Sequence, residues 1–306
     1  MTAYVFRRVL ALGPLLLAVS ALVFVALQFA PGDPAVLMLG QDATPQGVAT
    51  LRHQLGLDRP LAAQYTGFVL RALRGDLGRS FQTHRPVAGE LARTFGVTFV
   101  LATLSLAAAT LTGMTVGCLS ALRRQSWLDY LARAIVLGGV SIPIFWLGLL
   151  LISWFAIKYP LFPVSGWGTP GQVVLPVITL AAFPLAAIAR MTRSSVLDVL
   201  GSDYVRTAYA KGLGALRIVA FHLLKNALIP VTTVVGLQFG TVLAGAVLTE
   251  SVFALPGLGT LLLTAVLGRD YAIIRGAILL VAAVFAIINL AVDLAYAYLD
   301  PRIHYA

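Results

Sequence analysis

The sequence predicts an all-α integral membrane protein with six transmembrane helices, and three observations carry that prediction. Hydrophobic residues make up 59% of the 306-residue chain. Charged residues make up only 11%, against about 25% in ordinary soluble domains. The charges are also clustered, which leaves uncharged runs long enough to cross a hydrocarbon layer of about 30 Å.

Four such runs, at residues 9–32, 94–122, 134–157 and 226–249, read directly as spans. The first follows Arg7 and Arg8 and has no clear small-residue cleavage site, so it is expected to be a retained anchor and not a signal peptide. Residues 159–189 are also uncharged, but Pro160, Pro163, Gly166, Gly168, Pro170 and Gly171 break the first part. What remains, residues 173–189, is a further span whose Pro184 is tolerable because neighbouring groups can satisfy the backbone it frees. The last span, near residues 276–298, carries Asp293. Pairing of that carboxylate with a nearby arginine or with Asn289 is favoured over a proton relay.

Six spans put both termini on one side, and the positive charges choose it. Arg7 and Arg8 precede the first span, Arg123, Arg124 and Arg133 separate the second and third, and Arg190, Arg193, Arg206, Lys211, Arg217 and Lys225 separate the fourth and fifth. These segments, with the N- and C-termini, are expected to be cytoplasmic. The stretch between the first two spans opposes that assignment with seven arginines, yet its length exempts it, and Asp33, Asp42, Asp58, Asp76 and Glu90 offset the charge. Its turn signals and its apolar spacing (Leu51, Leu55, Tyr65, Phe68, Val69) predict a small, mostly helical external subdomain. The expected organisation is a cytoplasmic tail and first span at 1–33, the external subdomain at 34–93, a core at 94–300 and a cytoplasmic tail at 301–306.

The net charge of +10 does not point to nucleic acid, because arginines separated by long apolar runs build no basic face. Cys118, the one cysteine, lies in an apolar run and offers neither a disulfide framework nor a metal cluster. No metal site is expected.

Within the core, the polar loop at 198–226 has helical patterning of its own. Gly201 can end the preceding helix, Ser202 or Asp203 can cap a short helix running to Lys211, and Gly212 can terminate it. After Gly214 a second helix is expected at 215–226. One reading is a simple reconnection whose basic residues touch anionic headgroups. The other is a rigid knob suited to transmitting motion from a soluble partner.

The run Asp203-Tyr204-Val205-Arg206-Thr207-Ala208-Tyr209-Ala210-Lys211-Gly212-Leu213 resembles the cytoplasmic EAA loop of ABC importer permeases, in the form found in dipeptide, oligopeptide, glutathione and nickel permeases. The match continues through His222-Leu223-Leu224-Lys225-Asn226-Ala227-Leu228-Ile229-Pro230. Arg206 stands where the general loop has glutamate, and the isoleucine-x-leucine-proline element is displaced; both resemble the peptide-branch variant. Pro31-Gly32-Asp33-Pro34, Gly75-Asp76-Leu77-Gly78-Arg79-Ser80, Ser141-Ile142-Pro143-Ile144-Phe145-Trp146-Leu147-Gly148, Glu250-Ser251-Val252-Phe253-Ala254-Leu255-Pro256-Gly257-Leu258-Gly259 and Leu299-Asp300-Pro301-Arg302 resemble that branch and fall in the expected order.

The resemblance implies the fold of a type I ABC importer permease in a bacterial cytoplasmic (inner) membrane. It also implies a second permease subunit, two ATPase subunits that bind ATP and Mg, an external substrate-binding protein and surrounding membrane lipid. The chain has no Gly-x-x-x-x-Gly-Lys-[Ser/Thr] loop and is expected to hold no cofactor and to be no enzyme by itself. Asp203, Tyr204, Arg206, Thr207, Ala208, Lys211 and Gly212 would form the ATPase-coupling segment, with Ala208 and Gly212 permitting close approach. Glu250, Phe253, Pro256 and Gly257 would lie near a gate or the docked binding protein; the alternative for Glu250 is a hydrated interfacial carboxylate. Pro143 is expected to kink the third span. Peptides are the expected cargo, with nickel, glutathione or another small solute as the alternative. A proton-coupled secondary transporter would need repeated midplane carboxylates, and only Asp293 is near that description. A membrane hydrolase would need His-Glu-x-x-His or Gly-x-Ser-x-Gly, and the sequence has neither.

Overall fold

A computed structural model of the chain describes residues 2–29, 32–40, 43–212, 214 and 224–299, and among these it is almost wholly helical. In chain order the helices are α1 (Thr2–Gln28), α2 (Pro34–Leu39), α3 (Pro45–Leu55), α4 (Leu61–Ala72), α5 (Val87–Leu122), α6 (Trp127–Ser141), α7 (Ile144–Ile152), α8 (Pro170–Leu200), α9 (Asp203–Ala210), α10 (Leu224–Val252), α11 (Leu258–Leu267) and α12 (Tyr271–Leu299). Five described segments, in α1, α5, α8, α10 and α12, are long and apolar enough to cross a membrane, and the bent pair α6–α7 meets the same test only when its two helices are taken together as one span. Large apolar side chains stay uncovered along these helices, Leu22 and Leu111 at 70% exposure among them. Water would penalise such surfaces, whereas lipid solvates them.

The third span departs from the sequence reading. A continuous helix kinked at Pro143 was the expectation; instead α6 stops at Ser141 and α7 restarts at Ile144 with Pro143 as its N-cap residue, at 103° to α6. Proline lacks the N–H and disfavours helical geometry in the residue before it, and Ile142 is accordingly extended, with ψ 124°. The helix is broken, not bent. α7 then closes in a π-turn, Ser153–Lys158.

The chain packs as two compact units. One comprises Met1–Val5, Thr98–Leu255 and Ile287–Ala306. Its centre is α8, which packs against α6, α7 and α10. Ala109, Ala181, Ile188 and Val231 form one buried cluster, and Val136, Ala186 and Ala189 another. Small residues let the backbones close: a Cβ at Gly117 of α5 would stand 2.5 Å from the Ala189 carbonyl oxygen of α8. Pro176 and Pro184 lie inside α8, which nevertheless continues to Leu200 and carries Arg190 and Arg193 as helical residues.

The other unit comprises Phe6–Val97 and Pro256–Ala286. Tyr65 of α4 donates to the Leu17 carbonyl of α1 at 3.0 Å and its ring lies 5.5 Å from that of Phe24, tilted by 57°, which ties α4 to the first span. Val87, Leu91, Leu258, Ala265, Tyr271, Ile273 and Ala277 form its core. The buried Asp270 caps α12 by accepting from Ile273 N (3.2 Å), and its other oxygen accepts from Phe81 N (2.9 Å) and from the Ser80 hydroxyl. On the surface, His53 bonds Asp58 at 2.7 Å and holds that carboxyl below the usual carboxylate range.

Candidate functional site

The segment joining α8 to α10 begins with α9, a two-turn helix held by two apolar residues. Val205 and Ala208 are buried against Val199 and Leu200 at the end of α8. They lie three apart, the spacing that puts both on one face. Asp203, Tyr204, Arg206, Thr207, Lys211 and Gly212 are exposed. Ser202, at the N-cap position, turns its hydroxyl back to the Val199 carbonyl (2.6 Å), so it staples α9 to α8 and does not cap through its side chain. Gly212 has φ +75°, the left-handed geometry that ends a helix at low cost only for glycine. The second helix expected at 215–226 falls mostly outside the described residues, as does the tail at 301–306; the Asp293 side chain lies outside them too.

The small side chain of Ala208 therefore serves an intramolecular approach. It was expected to admit a partner surface, but it is 6% exposed and its neighbours belong to its own chain. Arg206 and Asp203 form a 3.6 Å ion pair one turn apart. Both are solvent-exposed, so the pair contributes little to stability.

A polar cluster that sequence reasoning missed lies nearly three turns before α9. Asp129 in the first turn of α6 is buried and accepts from Arg193 of α8 through both oxygens, at 2.9 Å each. It also accepts from the Ser120 hydroxyl of α5 and from Gln125 N at 3.1 Å, while Arg133 approaches at 3.4 Å. One carboxylate thus joins α5, α6 and α8. Ser126 and Asp129 have the spacing of a capping box, and that was the available signal. It announced a helix start; it gave no hint of a partner 64 residues away.

Glu250, near the end of α10, is fully buried and accepts a hydrogen bond from Thr98 Oγ1 at 2.5 Å. The reading of this residue as a hydrated interfacial carboxylate is therefore corrected: the helix face that carries it is turned inward. Phe253 is buried as well, and a Cβ at Gly148 of α7 would meet its ring at 3.2 Å. The chain then turns through Ala254, at φ +50°. Pro256 and Gly257 belong to the other unit, where Pro256 is exposed and Gly257 is the N-cap residue of α11.

Beside the Pro143 break lies a cavity of about 380 Å³, lined by Pro143, Leu147, Leu180, Phe183, Val242 and Gly245 among others. Its lining is overwhelmingly apolar, with Thr179 and Thr241 as the hydroxyl-bearing exceptions. Such a surface can accommodate an organic solute without selecting it through charge. Among the described residues no group of three or more His, Cys, Asp or Glu is placed to hold a metal ion.

Helices α6, α7 and α10 packed on α8, with a short exposed helix seated on its end, belong to a multi-pass membrane protein. The sequence profile of the binding-protein-dependent transport system inner membrane component matches residues 113–305, and that of its N-terminal membrane component matches residues 1–102. The chain belongs to this family of inner membrane permeases. It is 41% identical to the dipeptide transport system permease protein DppB of Alkalihalophilus pseudofirmus, over 100% of both chains. It is 44% identical to the glutathione transport system permease protein GsiC of Escherichia coli, again over 100% of both. The inward-facing MetNI methionine ABC transporter superposes with a TM-score of 0.60 at 21% identity, covering 69% of this chain and 96% of that one. That likeness shows the type I importer permease fold.

Proposed function

We propose that the chain is one permease subunit of an ATP-driven importer that carries di- or oligopeptides across the cytoplasmic membrane. A second permease completes the path, an external binding protein delivers the cargo, and two ATPase subunits bind ATP and Mg and supply the work. Both termini and α9 lie in the cytoplasm. The observation that carries this reading is α9 itself, clamped to α8 by Val205 and Ala208 with Tyr204, Arg206, Thr207 and Lys211 turned outward. A helix seated this firmly moves with α8, so a push on its polar face reaches the spans that bound the apolar cavity. Membrane lipid covers the remaining apolar surface.

Full-length identity to dipeptide and glutathione permeases supports peptides as the cargo class. The 44% identity to the latter favours a glutathione-like tripeptide as the second reading. Reconstitution with the partner permease, ATPases and binding protein, followed by uptake of a labelled dipeptide, tests both readings. ATP-dependent uptake is expected, and competition by unlabelled glutathione distinguishes the two cargoes. Uptake that persists without ATPase subunits contradicts the proposal.

A further inference from the structure

The unit that contains α1–α4 encloses a second cavity, of about 480 Å³, unlike the apolar one in the other unit. Arg59, Arg71, Arg79 and Arg275 line it, together with Arg52. Asp33 is the one acid among its lining residues, and Arg52 is bonded to it at 2.5 Å. The other four arginines line the same cavity, whose lining includes no acid besides Asp33.

Arg275 is the most unusual of the four. It lies in the second turn of an apolar helix, is mostly buried, and has its Nε shielded from solvent with no hydrogen-bond partner. The Phe68 ring stands 5.0 Å from its guanidinium carbon and stabilises the charge. A buried donor left unmade costs about 1–3 kcal/mol, and an ionisable residue within a membrane helix points to a function with a specific partner. The planar fork of arginine matches the two oxygens of a carboxylate or phosphate.

We propose that this cavity is an oxyanion-binding site, in which Arg275 and Arg71 grip the carboxylate or phosphate group of a ligand while Phe68 fixes the Arg275 plane. Arg59 and Arg79 supply attraction at the mouth. The site does not depend on which solute the transporter carries. The oxyanion comes either from a soluble molecule or from the headgroup of an anionic lipid.

The test uses the full-length chain within its transporter complex, in nanodiscs of phosphatidylcholine at fixed ionic strength. Thermal stability is followed during titration with inorganic phosphate, N-acetylglycine or N-acetylglycinamide, with chloride as the control. Phosphate and N-acetylglycine are expected to raise Tm saturably, and the amide is not. Arg275→Met and, independently, the exposed-residue variant Arg71→Ala are each expected to weaken the response at least about tenfold, or roughly 1.4 kcal/mol. Nanodiscs containing phosphatidylglycerol separate the sources: loss of the phosphate response assigns the site to a lipid headgroup, and an unchanged response assigns it to a soluble anion. A wild-type Tm that follows phosphate no differently from chloride overturns the proposal, as does a response that survives Arg71→Ala undiminished.

Discussion

Arg193 and Asp129 meet side-on, Nε to Oδ1 and Nη2 to Oδ2, both at 2.9 Å, and this fork joins α8 to α6 nearly three turns before α9, the proposed coupling helix. Bidentate guanidinium–carboxylate pairs fix orientation as well as distance. The pair therefore sets how α8, and with it α9, is held against α6. Replacing Arg193 with Met is expected to cost about 1–3 kcal/mol, because Ser120, Gln125 and Arg133 still hold the carboxylate. Adding Arg133→Ala is expected to cost more than the sum of the single changes, since Asp129 then loses both guanidinium groups. Thermal unfolding of the purified complex measures both effects.

The seat of α9 makes a second prediction. Ala208→Leu forces a larger side chain between α9 and the Val199–Leu200 end of α8, at about 1–3 kcal/mol. Gly212→Val acts differently: among the described residues none lies within 4 Å of a Cβ at Gly212, so its cost is the left-handed backbone, about 1–2 kcal/mol. Both variants are expected to insert normally, to retain ATP hydrolysis and to lose uptake. Normal uptake by Gly212→Val counts against α9 as the coupling element.

Glu250 and Thr98 should behave as one unit. Thr98→Val leaves Glu250 with a lost donor, and Glu250→Ala leaves a buried hydroxyl, each at about 1–3 kcal/mol. A double-mutant cycle read by thermal unfolding is expected to show a coupling energy well above the few tenths of a kcal/mol seen for distant sites. Additive effects would mean that the contact contributes nothing to stability.

Two glycines offer a matched contrast. A Cβ at Gly117 would collide with the Ala189 carbonyl oxygen and the Thr192 side chain, whereas a Cβ at Gly138 would meet none of the described residues within 4 Å. Gly117→Ala is expected to destabilise by separating α5 from α8. Gly138→Ala is expected to be neutral or to stabilise by up to about 1 kcal/mol, the helix-propensity gain over glycine. Comparison of the two melting temperatures checks the close packing of α5 on α8.

Much of this architecture was legible because lipid imposes long apolar runs, and those runs survive as α1, α5, α8, α10 and α12. Local chemistry was legible too: α8 ends at Gly201 and α9 at Gly212, where the left-handed backbone favours glycine. What escaped depended on partners distant in sequence. Nothing near Asp129 announces Arg193, and nothing near Glu250 announces Thr98, so a buried, bonded carboxylate read as one that water could reach. Pro143 marked a deformation, but a kink and a complete break begin from the same missing N–H, and only the neighbouring helices select between them.

The central claim is that the polar face of α9 lies in the cytosol against an ATPase subunit. Lys211→Cys in a Cys118→Ala background, labelled with a membrane-impermeant maleimide, tests it most directly. The account predicts labelling in inside-out vesicles only, with protection once the ATPase subunits are bound. Labelling of Lys211→Cys in intact, right-side-out vesicles would contradict it.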